Sequence, residues 1–598
     1  MEADKVYIIG GSDARLTNKI KEYSNVIFLD KVQNKFKNQF SLIKEFQENQ
    51  SDLRVKWLSF QEQVFKKAQT YLDKDEDFSY LLSNNFFEAS PNKTNLMYKF
   101  FKLNLIFDYV RRENINKVYL YNVPKDIEFF FYTNANRLNL SIVTLKFYKE
   151  KQNIIKSFKN WVKKYFISSL FYHLVIEYKK KKQKISPQKS KSKKVVFSYF
   201  YPGGQSFEDS FSSKYFEGAS NLINAKYNWL FLYVGDFSKL GEQNELIRNN
   251  LTSFGFLDAY FKISDFQKII INFFKIKKKL KLIKINDLFT FEGIDYLNLI
   301  KSKWLTSMSV SLLDLLIFEK KTLNFFKKNS QINEALYLME FQPWELIFNK
   351  IAKKYNIKTK GVIHSIVRPN VMNYYHSKKI HNYLNMPSYV GVNSDFSKSL
   401  MIKNGFTSEQ VLKIEAQRFN YLLKNQNKNN TTKSILRKRK SILIITSIIP
   451  AETREMLEFF ALSNIEFEKV YIKEHHLFKV GPIIKSSIKN FPNFEIFNGT
   501  VSDAFELSDI VYTANGSSVL LESVVNKKET VSLISLSSLP IPAISKASNL
   551  HFAHDVNSLS KILNRLLTKP IDLVATNENI DCLYLNYELP LWQDFLDK

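Results

Sequence analysis

"LSDIVYTANGSSVLLESVVNKKETVSLI", Leu507 to Ile534, decides the fold class of this chain. Its first half is a β-branched and aromatic run that ends at "TANG"; two serines follow, "VLLESVV" continues as a helix, and "TVSLIS" (530–535) returns to strand. A strand that feeds a helix that feeds a strand is the repeating unit of a parallel sheet with helices on its faces. The same alternation extends upstream through "SILIITS" (441–447), "EKVYIKEH" (468–475) and "NFEIFNG" (493–499). Before the Lys-, Asn- and Arg-rich stretch 423–440, a second series runs through "KKVVFSYF" (193–200), "WLFLYVGD" (229–236), "ALYLMEF" (335–341), "KTKGVIHS" (358–365) and "YVGVNS" (389–394). A third, smaller series occupies the N-terminus: "KVYII" (5–9), "NVIFLD" (25–30), "KVYLYNV" (117–123) and "LSIVTLKF" (140–147).

The chain is α/β by this pattern, and it divides into an N-terminal α/β domain (1–150), a basic helix and polar linker (151–192), and two further α/β domains (193–435 and 436–598). The length, 598 residues, fits several domains rather than one core. Two tandem domains of this kind form a cleft, and open α/β sheets bind ligands at the carboxyl ends of their strands.

Composition narrows the class of protein. Apolar residues make up 45 % of the chain and aromatics 15 %, which excludes a disordered or collagen-like chain. Lys and Arg outnumber Asp and Glu by 87 to 58, so the formal charge is +29. That excess favours phosphates, nucleic acids or an anionic membrane, although abundant Lys, Asn, Ile and Phe also follow from an AT-rich coding sequence. The basic residues are dispersed and carry no RNP, KH or zinc-finger pattern, so no nucleic-acid partner is expected. A single cysteine, Cys582, excludes an intrachain disulfide. The start "MEADKVYIIGG" lacks the features of a secretory signal, and no run reaches the roughly 20 apolar residues of a membrane span. A cytoplasmic protein is expected. The stretches "FKNWVKKYFISSLFYHLVIEYKKKK" (158–182) and "FQKIIINFFKIKKKLKLIKI" (266–285) pair apolar and aromatic residues with lysines, a pattern that fits either packed helices or peripheral contact with the inner membrane.

Chemistry concentrates after "TAN". Gly516, Ser517 and Ser518 stand where a strand turns into a helix, and unpaired backbone N–H groups with serine hydroxyls suit a phosphate; a simple helix cap is the plain alternative. Glu522 lies within that helix, either toward ribose hydroxyls or toward solvent. Upstream, "GGSDA" lacks the G-x-G-x-x-G spacing of a dinucleotide loop, and "DKDED" (73–77) reads as a solvated acidic loop rather than a metal motif. Neighbouring His475 and His476 would point to opposite faces of a strand, which argues against a shared metal, and no metal site is expected.

The "SD…SS…E" pattern resembles the nucleotide-binding half of GT-B glycosyltransferases, especially bacterial enzymes that use CMP-activated acidic sugars of the sialic acid and Kdo type. Those families carry a Lys-x-His-Pro element at an earlier strand end, and Lys473, Glu474, His475 and His476 are similar to it, with His476 in place of the proline. The resemblance puts Lys473 and one of the two histidines, His475 by register, on the donor phosphate together with Gly516, Ser517 and Ser518, with Glu522 on the donor's ribose hydroxyls. A second resemblance, over "LMEFQPWELIF", "KGVIHSIVRPN", "YVGVNSDFSKSLMIKNGF" and "VLKIEAQRFNYL", is to a bacterial family of surface carbohydrate biosynthesis proteins.

Taken together, the resemblances imply a GT-B type fold, two Rossmann-like domains facing a cleft, preceded by the additional N-terminal α/β domain. They imply a glycosyltransferase that moves a sugar from a nucleotide donor, CMP-linked rather than UDP-linked, to a glycan or glycolipid acceptor such as lipopolysaccharide or capsule. No cofactor is expected beyond the nucleotide sugar as substrate. Glu340 and His364 end adjacent strands of the second series and are the candidate catalytic bases; histidine needs little tuning for that work, and Glu340 alternatively orients it. Arg368 and Trp344 are candidates for acceptor or substrate binding. A CDP-polyol phosphotransferase of the teichoic-acid type is the nearest alternative, and a basic nucleic-acid-binding or non-catalytic protein the more distant one.

Overall fold

A computed structural model describes residues 4–10, 25–30, 39–71, 80, 95–146, 171, 174–175, 178, 187–188, 192–201, 205–207, 211–235, 237–250, 253–423, 440–475, 478–488, 491–568 and 583–598. DKDED (73–77), His476, Cys582 and nearly all of 158–182 lie outside the described residues.

The N-terminal sheet has five parallel strands in the order Gln39–Phe40, Asn25–Phe28, Lys5–Ile9, Lys117–Tyr121, Ser141–Lys146. Helix Leu42–Gln69 begins at Ser41, whose hydroxyl accepts from Lys44 N at 3.3 Å, and it carries Glu45 in its first turn and Lys66 and Lys67 in its last. Phe46, Leu53, Trp57, Phe60 and Val64 fall on one face of it and are buried.

The second sheet has seven parallel strands, ordered Ser253–Phe256, Asn228–Tyr233, Lys194–Phe200, Glu334–Leu338, Lys358–Val362, Tyr389–Val392, Val411–Lys413. Its central strand, "EALYL", is buried at every position, as expected for a parallel strand covered on both faces. Helices Asp265–Leu280, Leu297–Thr306 and Leu312–Lys328 cross between Phe256 and Glu334. Their core is continuous with that of the N-terminal helices: Phe100 lies 4.7 Å from Tyr296, and Phe60 5.7 Å from Phe291. The N-terminal unit therefore shares a core with the second rather than standing apart.

The third sheet has six parallel strands, ordered Glu495–Ile496, Lys469–Lys473, Ser441–Ile445, Ile510–Ala514, Glu529–Leu533, Leu550–Ala553. The chain's last helix, Pro590–Asp597, leaves this sheet and packs under the second, where Trp592 Nε1 donates to Glu415 O at 3.0 Å and Lys360 Nζ to Leu596 O at 3.1 Å. Strand order in the second and third sheets reverses at the first strand of each, between Lys194–Phe200 and Glu334–Leu338 and between Ser441–Ile445 and Ile510–Ala514. Ligands of doubly wound sheets sit outside the carboxyl ends at such reversals. Residues after the carboxyl ends of both sheets line one cavity, so the two sheets face each other across a cleft. This is the GT-B architecture, preceded by an additional N-terminal α/β unit. Among the described residues, no helix is long and apolar enough to cross a membrane.

Candidate functional site

Three strand ends of the third sheet deliver polar groups to the cleft. Thr446 and Ser447 follow Ser441–Ile445, Lys473 and His475 end or follow Lys469–Lys473, and Gly516, Ser517 and Ser518 follow Ile510–Ala514. Arg368 and Asn370 come from the loop after Lys358–Val362, and Arg418 from the short 3-10 turn Gln417–Phe419 after Val411–Lys413. These residues line one cavity of about 430 Å³, a size suited to a small ligand.

The two walls touch. Arg368 Nη1 donates to Gly516 O, and a Cβ added at Gly516 would stand 2.7 Å from Asn370 Nδ2. The close approach explains a residue without a side chain at this turn. Burial lowers the Arg368 pKa from its ordinary value, and its buried Nε has no hydrogen-bond partner among the described residues. Ser517 Oγ accepts from Val519 N at 3.2 Å, so one of the free N–H groups of the helix start is already taken, while Ser518 makes no side-chain cap. Lys473 Nζ donates to Gly499 O; its pKa is lowered by burial and by Lys479, against Asp503. His475 N donates to Thr446 Oγ1 at 2.9 Å, which fixes the turn after its strand. Glu522 does not line the cavity: its carboxylate accepts from the Tyr421 hydroxyl behind it.

Glu340 and His364 come together at the carboxyl edge of the second sheet, with His364 Nε2 at 3.9 Å from Glu340 Oε1. The Glu340 carboxylate accepts from Gln342 Nε2, and its backbone N–H donates to the buried Glu345 carboxylate at 3.0 Å. Burial, and then Glu340, push the Glu345 pKa well up. Phe341 turns the chain here at φ 56°, a conformation that costs a bulky residue about 1 kcal/mol or more. Burial lowers His364 to a pKa of about 4, against the raising effect of Glu340, and Arg418 lowers it further. Its buried Nδ1 has no hydrogen-bond partner among the described residues. Trp344 is not a free platform: it packs 5.0 Å from Phe197 and 5.7 Å from Phe318, and its Nε1 donates to Gln342 Oε1 at 3.1 Å.

Arg418 and Glu452 are among the cavity residues that escape sequence reasoning. Arg418 lies in the quoted "AQRFN", yet nothing in its spacing marks it. Glu452, buried at the cavity floor, accepts from Ser447 and Ser538, and burial raises its pKa. Its signal was available, because "TSIIPAE" is a strand end followed by a proline-started helix, the same grammar as "TANGSSVLLE". Among the described residues, no three His, Cys, Asp or Glu side chains gather as a metal site.

No family profile matches the chain, and no curated protein matches it. Solved structures do. UDP-GlcNAc 2-epimerase from Neisseria meningitidis bound to UDP-GlcNAc is similar at 11 % identity over 62 % of this chain and 91 % of that one, with a TM-score of 0.35. The Methanocaldococcus jannaschii UDP-GlcNAc 2-epimerase in complex with UDP-GlcNAc and UDP aligns at 10 % identity over 66 % and 96 %, TM-score 0.37. Acinetobacter baumannii MurG aligns at 11 % over 63 % and 91 %, TM-score 0.32.

Proposed function

We propose that this chain is a glycosyltransferase that holds a nucleotide-activated sugar in the cleft and passes the sugar to a hydroxyl of a bacterial surface glycan or glycolipid, such as lipopolysaccharide or capsule. The observation that carries the reading is the convergence of Arg368, Arg418 and Lys473 with Ser517 and Ser518 at the carboxyl edges of two facing sheets. Cationic and hydroxyl donors fixed in one cleft are what a departing nucleotide phosphate requires. In the transfer, the bond from the anomeric carbon to the phosphate oxygen breaks and its electron pair leaves on the nucleotide. The acceptor oxygen forms the new bond and gives up its proton. Glu340 reaches solvent and takes that proton; His364 is neutral at pH 7, lies beside the carboxylate and orients it. Side chains meet the charge of the leaving phosphate in this reading, and no cofactor takes part.

The donor in this reading is a CMP-linked acidic sugar, supported by the resemblance of Lys473-Glu474-His475 and Ser517-Ser518 to donor motifs of that class. The enzyme works in the cytoplasm, at the inner membrane where surface glycans are assembled. Thermal stabilisation by a panel of CMP-linked acidic sugars, CDP-glycerol and UDP-GlcNAc tests it. A ligand present at 100 times its Kd stabilises by about 2.7 kcal/mol, which a melting curve resolves easily. Protection by the CMP sugars is expected. Protection by CDP-glycerol alone would replace sugar transfer by polyol-phosphate transfer, and protection by UDP-GlcNAc alone would remove the CMP assignment.

A further inference from the structure

Helix Asp265–Leu280 has two apolar faces, and only one of them is used. Phe266, Ile269, Phe273, Ile276 and Leu280 are buried toward the helices behind it. On the opposite side, at helical spacing, Ile271 is 63 % exposed and Phe274 57 %, and Leu282 just beyond the helix is 63 % exposed. A scattered exposed leucine needs no explanation, but three large apolar side chains projecting from one face of one element do.

Charge says what meets that face. From Lys262 to Lys284 the chain carries eight lysines and one acidic residue, Asp265. Asp265 is turned inward, where it pairs with Lys320 at 3.3 Å and accepts from Asn324 at 2.9 Å. Lys268, Lys275 and Lys278 are exposed alongside the apolar side chains. A protein partner with an apolar groove would not need the lysines, and a nucleic acid would not need Ile271, Phe274 and Leu282. A surface that is anionic above and hydrocarbon beneath uses both.

We propose that the outward face of this helix, with Ile271, Phe274 and Leu282 as the inserting side chains and Lys268, Lys275 and Lys278 as the headgroup contacts, docks the protein on an anionic lipid bilayer. The docking surface stands on its own residues and does not depend on what the cleft binds.

Co-sedimentation of the full chain with vesicles tests it, using phosphatidylglycerol–phosphatidylcholine mixtures against phosphatidylcholine alone. The protein is expected to partition onto the anionic vesicles and to be weakened, not released, by high salt. The triple variant Ile271→Ser/Phe274→Ser/Leu282→Ser should lose at least tenfold in partitioning while its melting temperature stays within a degree or two, because all three side chains are solvent-exposed. Lys268→Glu/Lys275→Glu/Lys278→Glu should lose as much. If the triple serine variant binds anionic vesicles as the parent does, the net charge alone acts and the proposal fails. It also fails if the parent ignores vesicles, or if RNA binds it and the serine substitutions weaken neither association.

Discussion

His364 Nε2 stands 3.9 Å from Glu340 Oε1, with the imidazole 6 % exposed and the carboxylate 36 %. In the transfer proposed above, the partly exposed group meets the acceptor and the buried one holds it. Glu340→Gln keeps the shape and removes the proton acceptor, so turnover should fall by about 10²- to 10⁴-fold while nucleotide affinity stays nearly unchanged. His364→Asn should cost less, and chiefly in turnover. Equal losses of nucleotide binding in both variants, read by calorimetry, would place the pair in donor binding instead.

Acid should unfold the protein through its buried imidazoles. Burial lowers His364 to about 4 and His376 to about 3, and lowers His381 from its ordinary 6.5. His376 Nε2 lies 3.1 Å from His381 Nδ1, which lowers His376 further once His381 is charged. The unfolded chain takes these protons near pH 6.5 and the folded chain only below that, so the unfolded state binds more protons in between. Stability is then fully present above pH 6.5 and is lost as pH falls toward 4. Melting temperatures from pH 7 to 4 should decline, and the decline should be shallower in His376→Gln. An unchanged slope would mean that carboxylates elsewhere govern acid unfolding.

Gly516 lets the two walls of the cleft meet. An alanine there places its Cβ 2.7 Å from Asn370 Nδ2, the end of a side chain that can turn aside. Gly516→Ala should therefore fold, with a loss of about 1 kcal/mol, and should weaken nucleotide binding roughly tenfold by prising Arg368 from Gly516 O. Arg368→Lys should show a similar binding loss without the stability loss, since a point charge does not replace the guanidinium fork. Tight binding by both would separate the interdomain contact from the ligand.

The strand ends were legible because parallel strands buried on both faces read as continuous apolar runs. "SILII", "KVYIK" and "IVYTA" lie within residue runs taken as strands, and the sheets place Glu340, His364, Lys473 and Gly516 at their carboxyl edges. Several edge strands were not legible, although the edge strands Glu495–Ile496 and Ser141–Lys146 were. Ser253–Phe256, Val411–Lys413 and Leu550–Ala553 are too brief or too mixed to stand out, and neighbouring strands hold them in place. The site was legible only in part, because Arg418, Asn370 and Ser538 enter the cavity from loops whose local sequence carries no period. The fate of Trp344 and Glu522 was set by tertiary neighbours, Phe197 and Tyr421, that lie more than a hundred residues away along the chain.

The N-terminal unit grips the loop that floors the cleft. Tyr98 OH at 2.8 Å and Lys102 Nζ at 3.2 Å both donate to Leu536 O, and the ammonium lies 4.0 Å over the Tyr98 ring. The same loop carries Ser538, which bonds Glu452. Tyr98→Phe or Lys102→Met alone leaves the carbonyl one donor, whereas the double variant leaves it none among the described residues. The double variant should lose about 0.5–3 kcal/mol more than the two single losses combined. Lys102 also gives the contact a pH signature: burial lowers its pKa from 10.5 to about 8, with Asp30 opposing. Between those values the unfolded chain holds the proton that the folded chain has released, so stability should rise with pH from 8 to 10.5. Lys102→Met should abolish that rise, and additive melting data across the series would show that the two donors act independently.

Glu452 is a buried acid in a cavity that Arg368, Arg418 and Lys473 also line. Ser447 and Ser538 donate to its two oxygens and favour its ionised form, yet burial outweighs them and, with Glu455, raises its pKa. A carboxyl group with a raised pKa binds more protons folded than unfolded above the ordinary 4.5, so its contribution falls as pH rises through the shifted value. Glu452→Gln removes that penalty at little change in shape. The variant should match the parent below pH 4.5 and exceed it by about 1 kcal/mol at higher pH, read as a melting difference that widens with pH. Above the shifted pKa, where the parent's carboxyl is ionised, nucleotide phosphate should also bind the variant a few-fold more tightly, because a negative charge has been taken from under the site. If the difference shrinks as pH rises, Glu452 is ionised without penalty in the folded protein; if nucleotide binding weakens, its carboxyl serves the ligand rather than opposing it.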